Sequence, residues 1–132
     1  MNGTEVIKID GIFSMFLVHN DMQRFQYQLY NFRFGWGNGY VALPNWHPFY
    51  KKHYDEIPVS CHGGLTYGSL DEDEDLWVIG FDTSHSGDNE NNCDFDFVKN
   101  ETLNLMEQCC QVKEVQRIIK IRKINEIYIT RN

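Results

Sequence analysis

The alternation of apolar and polar positions divides the chain into a strand-like first part and a helix-like final third. From Glu5 to Val18 the residues are largely apolar and β-branched, with a break at Asp10-Gly11, which predicts two short strands joined by a hairpin turn. Phe25, Tyr27, Leu29, Phe32 and Phe34 nearly alternate with Gln26, Gln28, Asn31 and Arg33, predicting a half-buried strand with a bulge near Tyr30. Gly35, Gly37 and Gly39 surround Trp36 and Asn38 and mark a tight turn before a strand from Tyr40 to Leu43, ended by Pro44. Asn45 to Pro58 reads as a loop with one helical turn, and Val59 to Tyr67 as a strand interrupted at Gly63-Gly64. Asp71 to Asp75 is a run of acids that repel one another into a solvated turn, and Leu76 to Phe81 has the unbroken apolar character of a buried strand.

The period then changes. Phe97, Val98, Leu103, Leu105, Met106 and Cys109 or Cys110 recur at helical spacing, preceded by Asp94 and Asp96 where the helix dipole favours acids. Between Val112 and Ile129, the residues Ile118, Ile119, Ile121, Ile124 and Ile127 suit a helix or an edge strand, and helix is the preferred reading. Strands followed by helix predict an α+β fold, mainly antiparallel sheet with one long helix packed on it and a basic C-terminal helix or strand. A chain of 132 residues is expected to form a single domain over 1–132, with the core in 4–111 and a basic C-terminal extension at 112–132.

Charge narrows the choice of partner. The net charge of -7 is uneven, because six basic against two acidic residues give the last twenty positions +4 and leave the remainder at -11. Between Lys52 and Lys99 there is no Lys or Arg, while Asp and Glu occur twelve times. A surface that binds duplex nucleic acid must displace counterions with clustered basic side chains, which this region lacks, so nucleic acid is not an expected partner. Cys61, Cys93, Cys109 and Cys110 form no C-x-x-C pair and read as reduced thiols. With neither a secretory leader nor a long apolar run, no membrane partner is expected and a cytoplasmic setting is.

The candidate chemistry lies between Cys61 and Asp88. In His62-Gly63-Gly64 the glycines let backbone amides turn toward a ligand beside an imidazole; the plainer reading is a bulge next to a core histidine. Asp82, His85 and Asp88 leave the end of the buried strand, where a rigid scaffold holds polar groups within reach; their plainer roles are turn caps. Positions three apart cannot share one face of a strand, so these residues meet only if the loop brings them together. Asp82, His85 and Asp88 are candidate ligands for a divalent metal ion such as zinc or manganese. Without a metal, His62 and His85 are candidates for the acid and base of a phosphodiester cleavage. Asp88 to Asn92 superficially looks like a calcium loop, but Cys93 stands where glycine is required and Lys99 where glutamate is. Thr66 adds a hydroxyl to the candidate ligand-binding set, and Trp36 and Tyr67 add faces on which a base could stack. Cys61, next to His62 on an expected strand, points to the opposite face and is discounted as a nucleophile.

The segments G-N-G-Y-V-A-L-P at 37–44, H-P at 47–48, Y-D at 54–55, H-G-G-L-T-Y at 62–67 and G-F-D-T-S-H-S-G-D at 80–88 carry a resemblance. In the order N-G-Y-V, H-P, H-G-G-L-T and G-F-D-x-x-H-x-G-D, the chain resembles a family of small, mostly uncharacterised bacteriophage proteins, over about Gly37 to Gln108. Cys61 departs from the apolar β-branched residue expected at its place. The resemblance implies a phage-encoded accessory protein working in the host bacterial cytoplasm against host defence. The leading expectation is therefore sequestration of a nucleotide-type immune signalling molecule. The alternatives are a small phosphodiesterase or hydrolase that cleaves such a nucleotide, with or without a metal ion, and an acidic inhibitor of a host protein that binds through Asp71 to Asp75. A multiply charged phosphate would need positive charge from a metal, a histidinium or the basic tail of a second copy, which makes a homo-oligomer an open possibility.

Overall fold

The computed structural model describes residues 4–20 and 34–131, and these form an antiparallel sheet with helices packed against it. The strands are β1 (Thr4–Ile9), β2 (Ser14–Asn20), β3 (Gly37–Pro44), β4 (Tyr67–Asp71) and β5 (Leu76–Phe81), in the spatial order β1-β2-β3-β5-β4. Two helices follow, α1 (Phe95–Cys110) and α2 (Lys113–Arg131), which completes the expected α+β architecture. The hairpin at Asp10-Gly11 joins β1 to β2, with Ile9 opposite Met15. The strand expected from Phe25 onward lies outside the described residues as far as Arg33, and Phe34 is irregular.

One face of the sheet forms the core. Leu17 lies opposite Gly39 and Gly39 opposite Phe81, while Met15 lies opposite Val41 and Val41 opposite Ile79. Each pairing puts apolar side chains on the same side of the pleat. Against this face α1 lays Val98, Thr102, Leu105 and Cys109, all fully buried and spaced as one stripe of a helix. Gly39 permits the close approach, since a Cβ there would lie 2.0 Å from Thr102 Oγ1 and 2.7 Å from the Phe81 ring. Asp94 starts the helix by accepting a hydrogen bond from the Phe97 amide at 2.9 Å.

Two expectations are corrected. Residues 59–66 are not a strand, and β4 begins only at Tyr67. Gly63 and Gly64 have φ of 70° and 81°, and two successive residues in the left-handed region cannot continue a pleated ladder. The tail takes the helical form preferred for it, but the core does not stop at residue 111, because Val115 is fully buried and Val112 and Ile119 pack against it. The acidic run makes the β4–β5 hairpin turn, where Asp71 Oδ1 accepts from the amides of Asp73 at 3.1 Å and Glu74 at 3.3 Å. Among the described residues no helix is long and apolar enough to cross a membrane.

Candidate functional site

Two loops meet beyond the C-terminal end of β5. Residues 59–66 form the first, clamped by the α1 residue Gln108, whose side chain accepts from the Ser60 amide at 2.8 Å and donates to the Ser60 carbonyl at 2.7 Å. A turn from Cys61 to Gly64, closed at 2.9 Å, swings His62 out of line, and Thr66 rejoins the sheet through the Gly80 carbonyl. Under the His62 ring lies Phe97, edge to face at 5.3 Å. The helix thus sets both the path of the loop and the tilt of the imidazole.

The second loop runs from Asp82 to Asp94 and is anchored at both ends. Thr83 is fully buried and donates to the Gly37 carbonyl at 2.6 Å, while the Trp36 amide donates to the Cys93 carbonyl at 2.7 Å. Between these anchors Asp82 Oδ1 accepts from the Ser84 amide at 3.1 Å, and the His85 carbonyl accepts from the Asp88 amide at 2.9 Å. Asp82 therefore fills the turn-capping role that competed with a functional one, and has a second oxygen free to accept from Thr66 Oγ1 at 3.1 Å.

Asp88 sits where the loops meet. Only 6% exposed, it accepts from His62 Nε2 at 2.9 Å, from the His85 amide at 2.9 Å and from His85 Nδ1 at 3.0 Å. The other ring nitrogen of His85 faces Asp82 Oδ1 at 3.5 Å, so Asp82, His85, Asp88 and His62 form one chain of polar contacts. Burial pushes the Asp88 carboxyl up, but the hydrogen bonds from His62 and from the backbone and ring of His85 outweigh it and hold the group below the usual carboxylate range. The His62 and His85 rings stand 5.3 Å apart, near perpendicular, with side chains 25% and 33% exposed. Gly63 lies flush against His85, where a Cβ would come within 2.3 Å of Cε1.

The expected metal trio is not what the geometry assembles. His85 aims its two nitrogens at different carboxylates, so Asp82 and Asp88 lie on opposite sides of its ring and cannot both join it around one ion. Among the described residues, the group whose ligand atoms gather within 4.8 Å of one another is His62, Asp88 and Cys93. Cys93 escaped the sequence reading as a ligand, having been met as a reduced thiol without a C-x-x-C partner and as a misfit in a calcium loop. The available signal was its place just ahead of the helix cap Asp94, where the chain must turn back toward the sheet.

The remaining candidates divide. Thr66, Tyr67 and Asp82 lie together, with Tyr67 43% exposed and edge-on to Tyr40 at 5.3 Å. Trp36 packs against the core instead, stacked on His19 at 4.7 Å and edge-on to Phe95 at 5.1 Å. Gly64 faces open space. Cys61 packs against the core, and burial, with Glu101 adding, pushes its thiol up to about 11, which leaves little thiolate to act as a nucleophile. His47 is buried and structural: Nε2 donates to the Cys109 carbonyl at 2.9 Å and Nδ1 accepts from the Phe49 amide at 3.0 Å. The chain matches no family model, no curated protein and no solved structure, so the functional reading rests on the centre's own geometry.

Proposed function

We propose that the protein is a small hydrolase that cleaves a phosphate-containing, nucleotide-type signalling molecule, with His62 and His85 as acid and base. The observation that carries this reading is that one buried carboxylate, Asp88, holds imidazoles from two separate loops 5.3 Å apart while both stay reachable. Hydrolysis of a phosphoester needs one group to take a proton from the attacking water and another to give one to the departing oxygen. Imidazoles suit both tasks, and a carboxylate behind each ring fixes its orientation. Asp82, 3.5 Å from the second nitrogen of His85, extends the proton path toward Thr66.

Sequestration is the second reading. It draws support from the half-exposed face of Tyr67 beside Thr66 and Asp82, where a base can stack. It needs more positive charge than hydrolysis does, because a tight complex with a phosphate relies on cations that residues 53–98 do not contain. If the resemblance to phage proteins holds, the ligand under either reading would be a host immune signal, and the basic α2 of a second copy would be a source of the missing charge. The acidic-inhibitor reading is the weakest of the three, since Asp75 is already engaged by Asn45 and Tyr50.

Incubation with a panel of cyclic nucleotides and adenosine-diphosphate-ribose derivatives, with and without EDTA, separates these outcomes. Hydrolysis yields new products that disappear with His85→Ala. Intact ligand released only on denaturation moves the account to sequestration, and a panel left untouched and unbound overturns both.

A further inference from the structure

We infer that His62, Asp88 and Cys93 form a mononuclear site for a zinc-class transition-metal ion, with His85 as the group that positions Asp88. His62 Nε2 lies 2.9 and 3.0 Å from the two Asp88 oxygens and 3.8 Å from Cys93 Sγ. A tetrahedral ion bound at about 2.0 Å to nitrogen and oxygen and about 2.3 Å to sulfur holds nitrogen and oxygen about 3.3 Å apart, and nitrogen and sulfur about 3.5 Å apart. The nitrogen–oxygen and nitrogen–sulfur edges therefore already stand within about half an ångström of those of such a tetrahedron, and all three ligand atoms lie within 4.8 Å of one another.

The wiring around the three residues fits the same assignment. His85 donates both its amide and Nδ1 to Asp88 Oδ2, at 2.9 and 3.0 Å, which fixes the carboxylate and leaves Oδ1 toward His62. Groups that orient a metal ligand in this way are a regular part of metal sites. Cys93 is 2% exposed, and its amide is tied to the Asn89 carbonyl at 2.9 Å, so its sulfur is delivered by a closed turn rather than a free chain end. Binding requires the Cys93 thiol to give up its proton to solvent, and the resulting thiolate together with the Asp88 carboxylate would neutralise a divalent ion. Nitrogen, oxygen and sulfur donors together select a borderline-soft ion over magnesium or calcium.

Among the described residues three ligands gather, and the partly exposed His62 side is where substrate or water would take a fourth position, the pattern of a metal that does more than brace a fold. With the ion bound, His62 serves as ligand instead of as acid or base, so the hydrolytic reading then rests on His85, backed by Asp82, for proton transfer and on the ion for the second role. The site does not depend on the hydrolytic reading, because a bound ion equally supplies the cation a sequestering protein would need.

Titration of the full chain with cobalt(II) as the probe tests the assignment. One equivalent is expected to bind, with a sulfur-to-cobalt charge-transfer band that Cys93→Ser abolishes and Cys61→Ser leaves intact. His85→Ala is expected to keep the band while weakening binding roughly 10- to 100-fold. X-ray absorption on the zinc-loaded wild type needs no variant, and should find one sulfur at about 2.3 Å with nitrogen or oxygen donors. Absence of saturable binding, a bound ion without sulfur, or a band that follows Cys61 instead of Cys93 overturns the proposal. None of these results depends on whether any nucleotide is cleaved.

Discussion

Asp88 lies 2.9 Å from His62 although 26 positions separate them in the chain, and the contact joins the two loops beyond β5. Asp88→Ala removes the acceptor for His62 and for the amide and ring of His85 at once. Leaving such partly buried donors unmatched is expected to cost about 2–3 kcal/mol in urea unfolding. A cost below about 0.5 kcal/mol, the range of an ordinary surface change, would show that the carboxylate does not join the loops.

Gly63 and Gly64 share a left-handed backbone, with φ of 70° and 81°, but only Gly63 touches His85. Alanine at either position is expected to cost about 1–2 kcal/mol from the backbone alone. Gly63→Ala must also move the His85 ring, and a displacement near 1 Å is expected to lower turnover by roughly 100-fold. Gly64→Ala should leave turnover within a few-fold of wild type. Equal kinetic losses from the two would separate His85 from the chemistry.

His85 is one-third exposed, so its removal is expected to change stability by less than about 1 kcal/mol while turnover falls by roughly 10²- to 10⁴-fold. Asp82→Asn, acting only through His85, should cost less than His85→Ala does. A stable His85→Ala variant with undiminished turnover excludes the ring as acid or base.

Stability should also depend on pH through His47. Burial pushes this imidazole below its ordinary 6.5, with the Cys109 carbonyl only partly opposing. The unfolded chain then takes up a proton near pH 6.5 that the folded protein resists, so stability is full above that pH and declines as pH falls below it. Comparing urea midpoints at pH 7.5 and 5.5 should show this decline in the wild type and a flatter dependence in His47→Gln. An unchanged slope in the variant assigns the decline to other groups.

What could be read from the sequence was whatever is written locally. Leu76–Phe81 and the helix after Asp94 follow from period and capping, which depend on residues a few positions apart. The stretch 59–66 misled because Gly63-Gly64 breaks an apolar run and reads as a bulge, whereas a left-handed pair ends pairing altogether. The gathering of His62 with His85 and Asp88 was legible only as candidate chemistry, since it needs two loops to fold back on each other. The expected metal trio failed on ring orientation, as spacing does not say which carboxylate each nitrogen of His85 will face. Cys93 was hidden for a related reason: it lies 31 positions from His62, and no local pattern links them.

The most direct measurement is a double-mutant cycle on turnover of whichever nucleotide in the panel is cleaved, using His62→Ala, His85→Ala and the pair together. If Asp88 couples the two rings into one centre, the double variant should lose little more than the worse single variant, because residues acting as a unit are strongly non-additive. Losses that simply multiply, or a double variant that still turns over at the wild-type rate, would contradict a shared centre.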